Sequence, residues 1–274
     1  MRRSLVLVLL VAGCGGTHRP PAAPAATPRP MAMHRHHRHH RVTVGARATV
    51  ARAVAVQHGP AAHKRVAITF DADMSREMLG LIKAGLAPEQ IDHQLIRTLR
   101  RTHTPATLFL TGMWARRYPT VVRALARDGF ELGNHTWDHR AWADGCYGLP
   151  GGLTIAAENA EVKRTANLLR RLTGKRPLWF RFPGLCHGPE ALRVTAAEHE
   201  QAVDGLASGD AFQRDPAVIV RTVLSEVRPG SIIVMHMMGS PNAPATGQAL
   251  AALIPRLRAR GYHLVTVGRL LGSS

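Results

Sequence analysis

A chain of 274 residues with 36 Lys or Arg against 18 Asp or Glu, a formal net charge of +18, has room for one domain of ordinary size plus appendages. It shows no internal repeat, which excludes a solenoid. Half of the charge excess lies in residues 1–63, which hold nine Arg and no acidic residue. A basic balance calls for anionic neighbours, but zinc-finger spacing, RNP-type aromatic motifs and a basic region with heptads are all missing, so nucleic acid is excluded as a partner.

In chain order, Arg2 and Arg3 form a positive start and Ser4 to Ala12 a short apolar stretch, too short to span a bilayer and of the length of an export signal. It ends Val11-Ala12-Gly13-Cys14, small residues before a cysteine that resemble a bacterial lipobox. Residues 1–14 are therefore expected to be a lipoprotein-type signal, with Cys14 lipidated and anchoring an exported protein to the membrane of the cell envelope. Residues 15–63 are rich in Pro, Ala, Arg and His. Prolines break helices and few large apolar residues occur before Val42, so a disordered tether is expected, roughly 40 Å across as a coil. The run His34-Arg35-His36-His37-Arg38-His39-His40-Arg41 within it reads as a solvated polycation against anionic lipid or wall polymer, with metal capture as the second reading. The stretch from Val42 to Val56 is more apolar, with a short strand or helix left open.

From residue 64 to 274 a single folded domain is expected. Candidate strands are 66–70, 106–110, 131–133, 178–182, 202–206, 231–235 and 263–267. Candidate helices are 89–101, 120–127, 155–172, 189–198, 216–227 and 246–260. In the last, Ala249, Leu250, Leu253, Ile254 and Leu257 recur at helical spacing. Alternating strands and helices predict an α/β fold of parallel strands with crossover helices, sheet or barrel.

Four polar clusters follow candidate strands, the end at which β/α barrels build active sites. Asp71-Ala72-Asp73 puts two carboxylates two residues apart; a turn or helix cap is the structural alternative. His135-Thr136-Trp137-Asp138-His139 puts two imidazoles at i and i+4, able to reach one cation. With a carboxylate they make a three-ligand site with open positions, the catalytic rather than the structural pattern. Arg181-Phe182-Pro183-Gly184 offers a guanidinium that can hold a carboxylate. His236 closes the apolar run Ile232-Ile233-Val234-Met235, a position suited to a proton donor.

In this order the clusters resemble the polysaccharide deacetylase family, the NodB-homology or carbohydrate esterase family 4 group, over residues 64–270. The resemblance implies a distorted (β/α) barrel of about seven parallel strands and metal-dependent removal of N-acetyl groups from an amino-sugar polysaccharide such as peptidoglycan or a poly-GlcNAc-like polymer. Carried over by position, it makes Asp71 the catalytic base, Arg181 the residue that orients it, His236 the general acid and Asp210 the partner of His236. It makes His135 and His139 ligands of a divalent metal, with Zn²⁺ expected, and puts Val234, Pro183 and Trp137 around the acetyl group and sugar. The family usually carries two adjacent aspartates, base then ligand; here Ala72 stands in the ligand position and Asp73 follows. The third ligand is then Asp73, Asp71 or water, and a non-catalytic glycan-binding protein that retains the metal is the alternative function. An envelope metal-binding protein using the His tract is a third reading. Cys146 and Cys186 lie near the second and third motifs. Outside the cytoplasm they are expected to pair, with extra metal ligation alongside His187 as the alternative. Trp114, Trp137, Trp142, Tyr147 and Trp179 are the aromatic residues near the motifs, available for sugar stacking or for the core. The oligomeric state is not readable from these residues.

Overall fold

The computed structural model describes residues 52–273. The expected signal, Cys14, the His tract and residues 15–51 of the expected tether lie outside the described residues. The strands are β1 (Arg65–Ala72), β2 (Thr107–Leu110), β3 (Glu131–Asn134), β4 (Trp179–Phe180), β5 (Gln201–Ala202), β6 (Leu206–Ala207), β7 (Ile232–His236) and β8 (His263–Val265). The helices are α1 (Arg76–Lys83), α2 (His93–Arg101), α3 (Gly112–Arg117), α4 (Pro119–Arg127), α5 (Ile155–Thr173), α6 (Pro189–Ala197), α7 (Pro216–Glu226), α8 (Thr246–Ala259) and α9 (Val267–Leu271). All strand pairings are parallel, in the order β5-β4-β3-β2-β1-β7-β6, with β8 beside the start of β1. The sheet curls into an incomplete barrel whose main path has seven strands, with β8 added beside β1, as the alternation of strands and helices predicts.

The two-residue period of β1 sorts its side chains into two cores. Val66, Ile68, Phe70 and Ala72 face outward and pack under the helices with Leu95, Leu99, Trp114 and Leu253. Ala67 faces inward with Phe109, Trp179, Val203 and Ile232. Full burial of each larger apolar side chain contributes about 1.5–3 kcal/mol. The inward phase continues to Asp71 and Asp73, which enter the barrel mouth, whereas Ala72 belongs to the helix layer. Helix starts follow local chemistry: the side chains of Asp92, Thr154 and Asp215 accept hydrogen bonds from backbone N–H groups of the first turns of α2, α5 and α7, each cap contributing about 1 kcal/mol.

Beyond shifts of a few residues at other ends, three features differ from the sequence reading. The single candidate strand 202–206 is two strands, β5 and β6, which sit at opposite edges of the sheet. Their three-residue link spans the open seam of the barrel, where the tight packing of Gly205 against Ile232, its own would-be Cβ falling 2.2 Å from the Ile232 carbonyl oxygen, admits no side chain. The candidate strand 263–267 ends at Val265, because Thr266 caps α9. Residues 52–63, assigned to the tether, lie on the domain: the Val56 N–H donates to the Ala202 carbonyl at 2.9 Å and the Gly59 N–H to the Gly230 carbonyl at 2.8 Å. They supply backbone partners along the seam, where no neighbouring strand is available. Helices α1, α3 and α9 were not expected; α3 and α9 carry too few residues to show a periodic pattern.

One buried carboxyl ties the layers together. Asn134 Nδ2 at the end of β3 donates to Glu200 Oε2 at 2.8 Å, and Glu200 Oε1 has no hydrogen-bond partner. Burial pushes the Glu200 carboxyl well above the usual carboxylate range. The unfolded chain loses this proton at lower pH than the folded one, so the folded state weakens as pH rises from the ordinary carboxylate value through the raised one. Glu200→Gln imitates the protonated form. Its stability relative to the wild type is expected to improve by about 1–2 kcal/mol between pH 4 and pH 8, read as a difference of a few degrees in melting temperature at the two pH values. An unchanged difference would show that Glu200 ionises freely in the fold.

Candidate active site

The register of the central strands creates the site. Asp71 on β1 lies directly beside His236 on β7, and β3 and β4 deliver the two remaining motifs to the same end of the sheet. A cavity of about 330 Å³ there is lined by Asp71, Asp73, His135, His139, Asp210, Val234 and His236, among others. A larger cavity of about 630 Å³ opens at the seam beside His58, Asp204 and Arg228, but the convergent carboxylates and imidazoles belong to the smaller one.

Asp71 is held by Arg181. The Arg181 side chain is fully buried; its Nη1 donates to Asp71 Oδ1 at 2.8 Å and to Thr69 Oγ1 at 2.6 Å, and its Nε donates to the Val203 carbonyl at 3.1 Å. Its guanidinium carbon sits 4.0 Å from the Phe109 ring centre, a cation–π contact that adds to the fixing of the group. A buried ion pair of this kind is costly to break, about 3–5 kcal/mol for removal of one partner, so the carboxylate is immobilised with its second oxygen directed to the cavity side, 3.9 Å from His135 Nε2.

Asp73, His135 and His139 form the group with metal-ligand geometry. His135 Nε2 lies 3.3 Å and His139 Nε2 3.4 Å from Asp73 Oδ1. Ligand atoms about 2.0–2.2 Å from a tetrahedral ion lie roughly 3.3–3.5 Å from one another, so the donor set has the span of a divalent cation. Asp73 Oδ1 is buried and no hydrogen bond satisfies it, the expected state of an oxygen meant for a cation. His135 Nδ1 donates to the Arg181 carbonyl at 2.8 Å, which fixes the ring and leaves Nε2 with its lone pair free. Burial opposes the charged form of Asp73, but His139, His135 and His236 around it outweigh that and hold its carboxyl far below the usual range. Burial, and after it the neighbouring imidazoles, hold His139 down at about 4 against the pull of Asp73, so the ring is neutral and fit to ligate at neutral pH. Of the three candidates for the third ligand, Asp73 is the one with this geometry, because its two-residue separation from Asp71 keeps both carboxylates on the inward face.

Opposite stands His236. Its Nδ1 is 2.9 Å from Asp210 Oδ1, and Asp210 is itself buried and bound by Ser208 Oγ at 2.9 Å, Thr246 Oγ1 at 2.6 Å and the His236 N–H at 2.7 Å. Burial works against the imidazolium, yet Asp210 foremost, with Asp73 and Asp71, raises it to about 10. His236 is therefore a protonated acid whose Nε2 faces the cavity 3.9 Å from Asp73 Oδ2. Asp210→Asn removes the principal anion that holds this proton, so His236 loses it at lower pH. The alkaline limb of acetate release, measured as a pH–rate profile, is expected to move to lower pH by one unit or more, on the order of 1.4 kcal/mol. A profile that only falls in height would assign Asp210 a structural role alone.

The backbone of the site loops is unusual. Thr136, His139, Tyr147 and Leu185 all have positive φ, between 48° and 67°, a conformation that costs non-glycine residues energy and recurs at functional sites. Cys146 and Cys186 are joined in a disulfide, with Cα atoms 6.0 Å apart, so neither is a further metal ligand. His187 instead meets Asp204 at 3.0 Å. Gly184 (φ 62°) is required where it stands, since a Cβ there would lie 2.6 Å from the Cys146 sulfur.

A family model described as polysaccharide deacetylase matches residues 58–201, more than half of the chain. This chain belongs to the polysaccharide deacetylase family. A peptidoglycan-N-acetylglucosamine deacetylase of Bacillus cereus is 30% identical over 191 residues, 65% of this chain and 80% of that protein. The uncharacterized protein YlxY of Bacillus subtilis is 27% identical over 179 residues, and the match takes in 65% of this chain but only 52% of that relative, so this chain spans about half its length. Among solved structures, a CE4 family pseudoenzyme from Bacillus anthracis superposes with a TM-score of 0.66 at 19% identity, over 81% of this chain and 70% of that one, a likeness of fold.

Within this member of the polysaccharide deacetylase family two expected pocket residues take other places. Trp137 is buried against Gly112, under the Arg164 guanidinium at 3.6 Å, and Pro183 is buried in the loop that bears the disulfide; neither lines the cavity. Of the aromatic residues near the motifs, Tyr147 is the exposed one, and it faces Phe212 across the mouth with ring centres 5.9 Å apart. Met78, Leu149, Leu185, Phe212, Met238 and Asn242 also line the cavity and were not anticipated. Nor was Glu161 on α5, whose Oε2 accepts from the N–H groups of Trp137 at 2.6 Å and Asp138 at 3.2 Å and so holds the turn between the two histidines. No local pattern marks such a residue, because its role depends on where α5 crosses the sheet.

Proposed function

We propose that this chain hydrolyses N-acetyl groups on an amino-sugar polymer of a bacterial cell envelope, peptidoglycan or a poly-GlcNAc-like polymer, as an exported lipoprotein anchored through Cys14. The observation that carries the reading is the placement of two clamped groups on either side of one metal-ligand set: Asp71, held by Arg181 Nη1, and His236, held by Asp210 and raised by it to about 10. Such a split of acid and base across one cavity is what amide hydrolysis needs, since an amine leaves only when protonated. Bound by Asp73, His135 and His139, a divalent metal, with Zn²⁺ the expected ion, would supply Lewis-acid polarisation of the scissile carbonyl. Asp71 takes the proton of the attacking water, Arg181 keeps its carboxylate oriented, and His236 gives its Nε2 proton to the departing nitrogen. Val234 lies against the cavity where the acetyl methyl fits. Similarity to a peptidoglycan-N-acetylglucosamine deacetylase of Bacillus cereus supports peptidoglycan as the polymer, and the lipobox-like residues 11–14 support the anchor and the envelope location.

The test is acetate release from acetylated chito-oligosaccharides and from peptidoglycan, with added Zn²⁺. Release is the expected result. Metal bound at Asp73, His135 and His139 with no release from either polymer would favour the non-catalytic glycan-binding reading, a fate for which the pseudoenzyme of the same fold is a precedent.

A further inference from the structure

The charge of the domain is concentrated at one end. In a β/α barrel the segments from the last turn of a helix to the next strand lie opposite the active-site mouth. In this chain those segments are residues 64–65, 100–106, 127–131, 170–178, 198–201, 226–231 and 256–263. They hold 13 Lys or Arg against five Asp or Glu, whereas the rest of residues 64–273 holds 14 against 13. Nearly all the net positive charge of the domain therefore sits on the face away from the catalytic cavity. Hydrogen bonds tie some segments of this basic collar to one another. Lys64 Nζ donates to the Arg260 carbonyl at 3.3 Å, Arg258 Nη2 donates to the Thr102 carbonyl at 2.9 Å, and Arg100 Nε donates to Asp128 at 2.8 Å. A basic residue in a last helical turn is favourable beside the helix dipole, which accounts for one per helix but not for Arg170-Arg171 followed by Lys175-Arg176.

Two apolar side chains stand out on the same face. Leu178 is 55% and Val54 51% exposed, and both are tied to Gln201 at the start of β5: the Gln201 N–H donates to the Leu178 carbonyl at 2.8 Å, and Gln201 Nε2 donates to the Val54 carbonyl. Residue 52, where the described chain begins, is bound there too, its N–H donating to Gln201 Oε1 at 2.9 Å. The described chain thus begins at this face.

We propose that this face docks on an anionic phospholipid surface, the collar meeting lipid phosphates and Leu178 with Val54 entering the acyl boundary. Basic residues near such a surface each add to binding, and exposed apolar side chains beside them suit a bilayer interface rather than a soluble polyanion. Docking in this way turns the catalytic mouth away from the membrane, toward the polymer outside it. The proposal stands independently of the deacetylase reading.

Residues 46–274 form one compact unit with its own core and are the protein for the test, free of the basic N-terminal stretch. Sedimentation with phosphatidylglycerol/phosphatidylcholine vesicles is compared with pure phosphatidylcholine vesicles and with poly(glycerol phosphate). Binding to the anionic vesicles that weakens with salt is expected. Arg101→Gln, Arg170→Gln, Arg171→Gln and Lys175→Gln together are expected to lower it about tenfold or more, and Leu178→Asn alone to lower it further than any single Gln exchange. The same number of charges removed elsewhere (Lys83, Arg116, Arg193 and Arg221 to Gln) is expected to leave it nearly unchanged. Equal loss in both charge sets, equal binding to neutral vesicles, or binding to poly(glycerol phosphate) without vesicle binding would each overturn the proposal. Thermal melts of every variant separate lost binding from lost folding.

Discussion

Asp71→Asn is expected to lower acetate release by about 10³-fold or more, because the asparagine cannot accept the proton of the attacking water and general base catalysis contributes roughly 10²–10⁴. The oxygen that meets Arg181 Nη1 at 2.8 Å is kept by the amide, so the backbone of the site should hold, although the guanidinium loses its counter-charge and stability falls by a few kcal/mol. Three measurements tell these effects apart. The rate constant should fall while KM changes little, the metal content should stay at the wild-type level, and the melting temperature should decline by several degrees without loss of cooperativity. Retention of more than about one tenth of the activity would remove Asp71 from the role of base.

Loss of the metal set is the second large effect. His135→Ala is expected to abolish acetate release and to leave the protein unable to retain stoichiometric Zn²⁺, and added Zn²⁺ should not restore it. The wild type stripped with a chelator should lose activity to the same degree and regain it on addition of the ion. His135 matters more than a ligand count suggests. Its Nδ1 is bound to the Arg181 carbonyl and its Nε2 lies between Asp71 and Asp73, so the ring couples the base to the ligand set. Removing it leaves Asp73 Oδ1 with His139 alone, a pair too sparse for a tight site. An expected loss on the order of 10³ follows if polarisation of the carbonyl supplies several kcal/mol of the barrier lowering. Full activity in a metal-free preparation would refute the metal dependence.

Both predictions rest on residues that could be found in the sequence. Asp71, His135, Arg181 and His236 each stand at the carboxyl end of an apolar run, and parallel pairing brings such ends together whatever the details of the loops. The ligand question stays open in the sequence: Asp73 follows the end of β1, and the structure brings it to His135 and His139 while Ala72 shares the outward phase of Phe70. The family resemblance supplied the roles, and the match to residues 58–201 establishes the family. Residues 1–51 enter none of these arguments.

Other features have no local signature. The split of residues 202–206 into two edge strands depends on the barrel failing to close, a property of the whole sheet. Trp137 lies between the two histidines of the metal-ligand set and reads as a pocket residue, yet Arg164 and Gly112 of two different helices enclose it. Glu161 is an ordinary helical glutamate until α5 lays it against the backbone of the histidine turn. The basic face is invisible in the charge total, because the direction in which helices return across the sheet selects which arginines share one end. Alternation along strands and chemistry at strand ends are set by nearest neighbours in the chain, so the sequence by itself determined the fold class and the candidate site residues in their order, with the third metal ligand left among Asp73, Asp71 and water. Contacts between elements far apart in the chain depend on how helices and sheet pack, so only the tertiary structure decided the seam, the true lining of the cavity and the surface the domain turns to its surroundings.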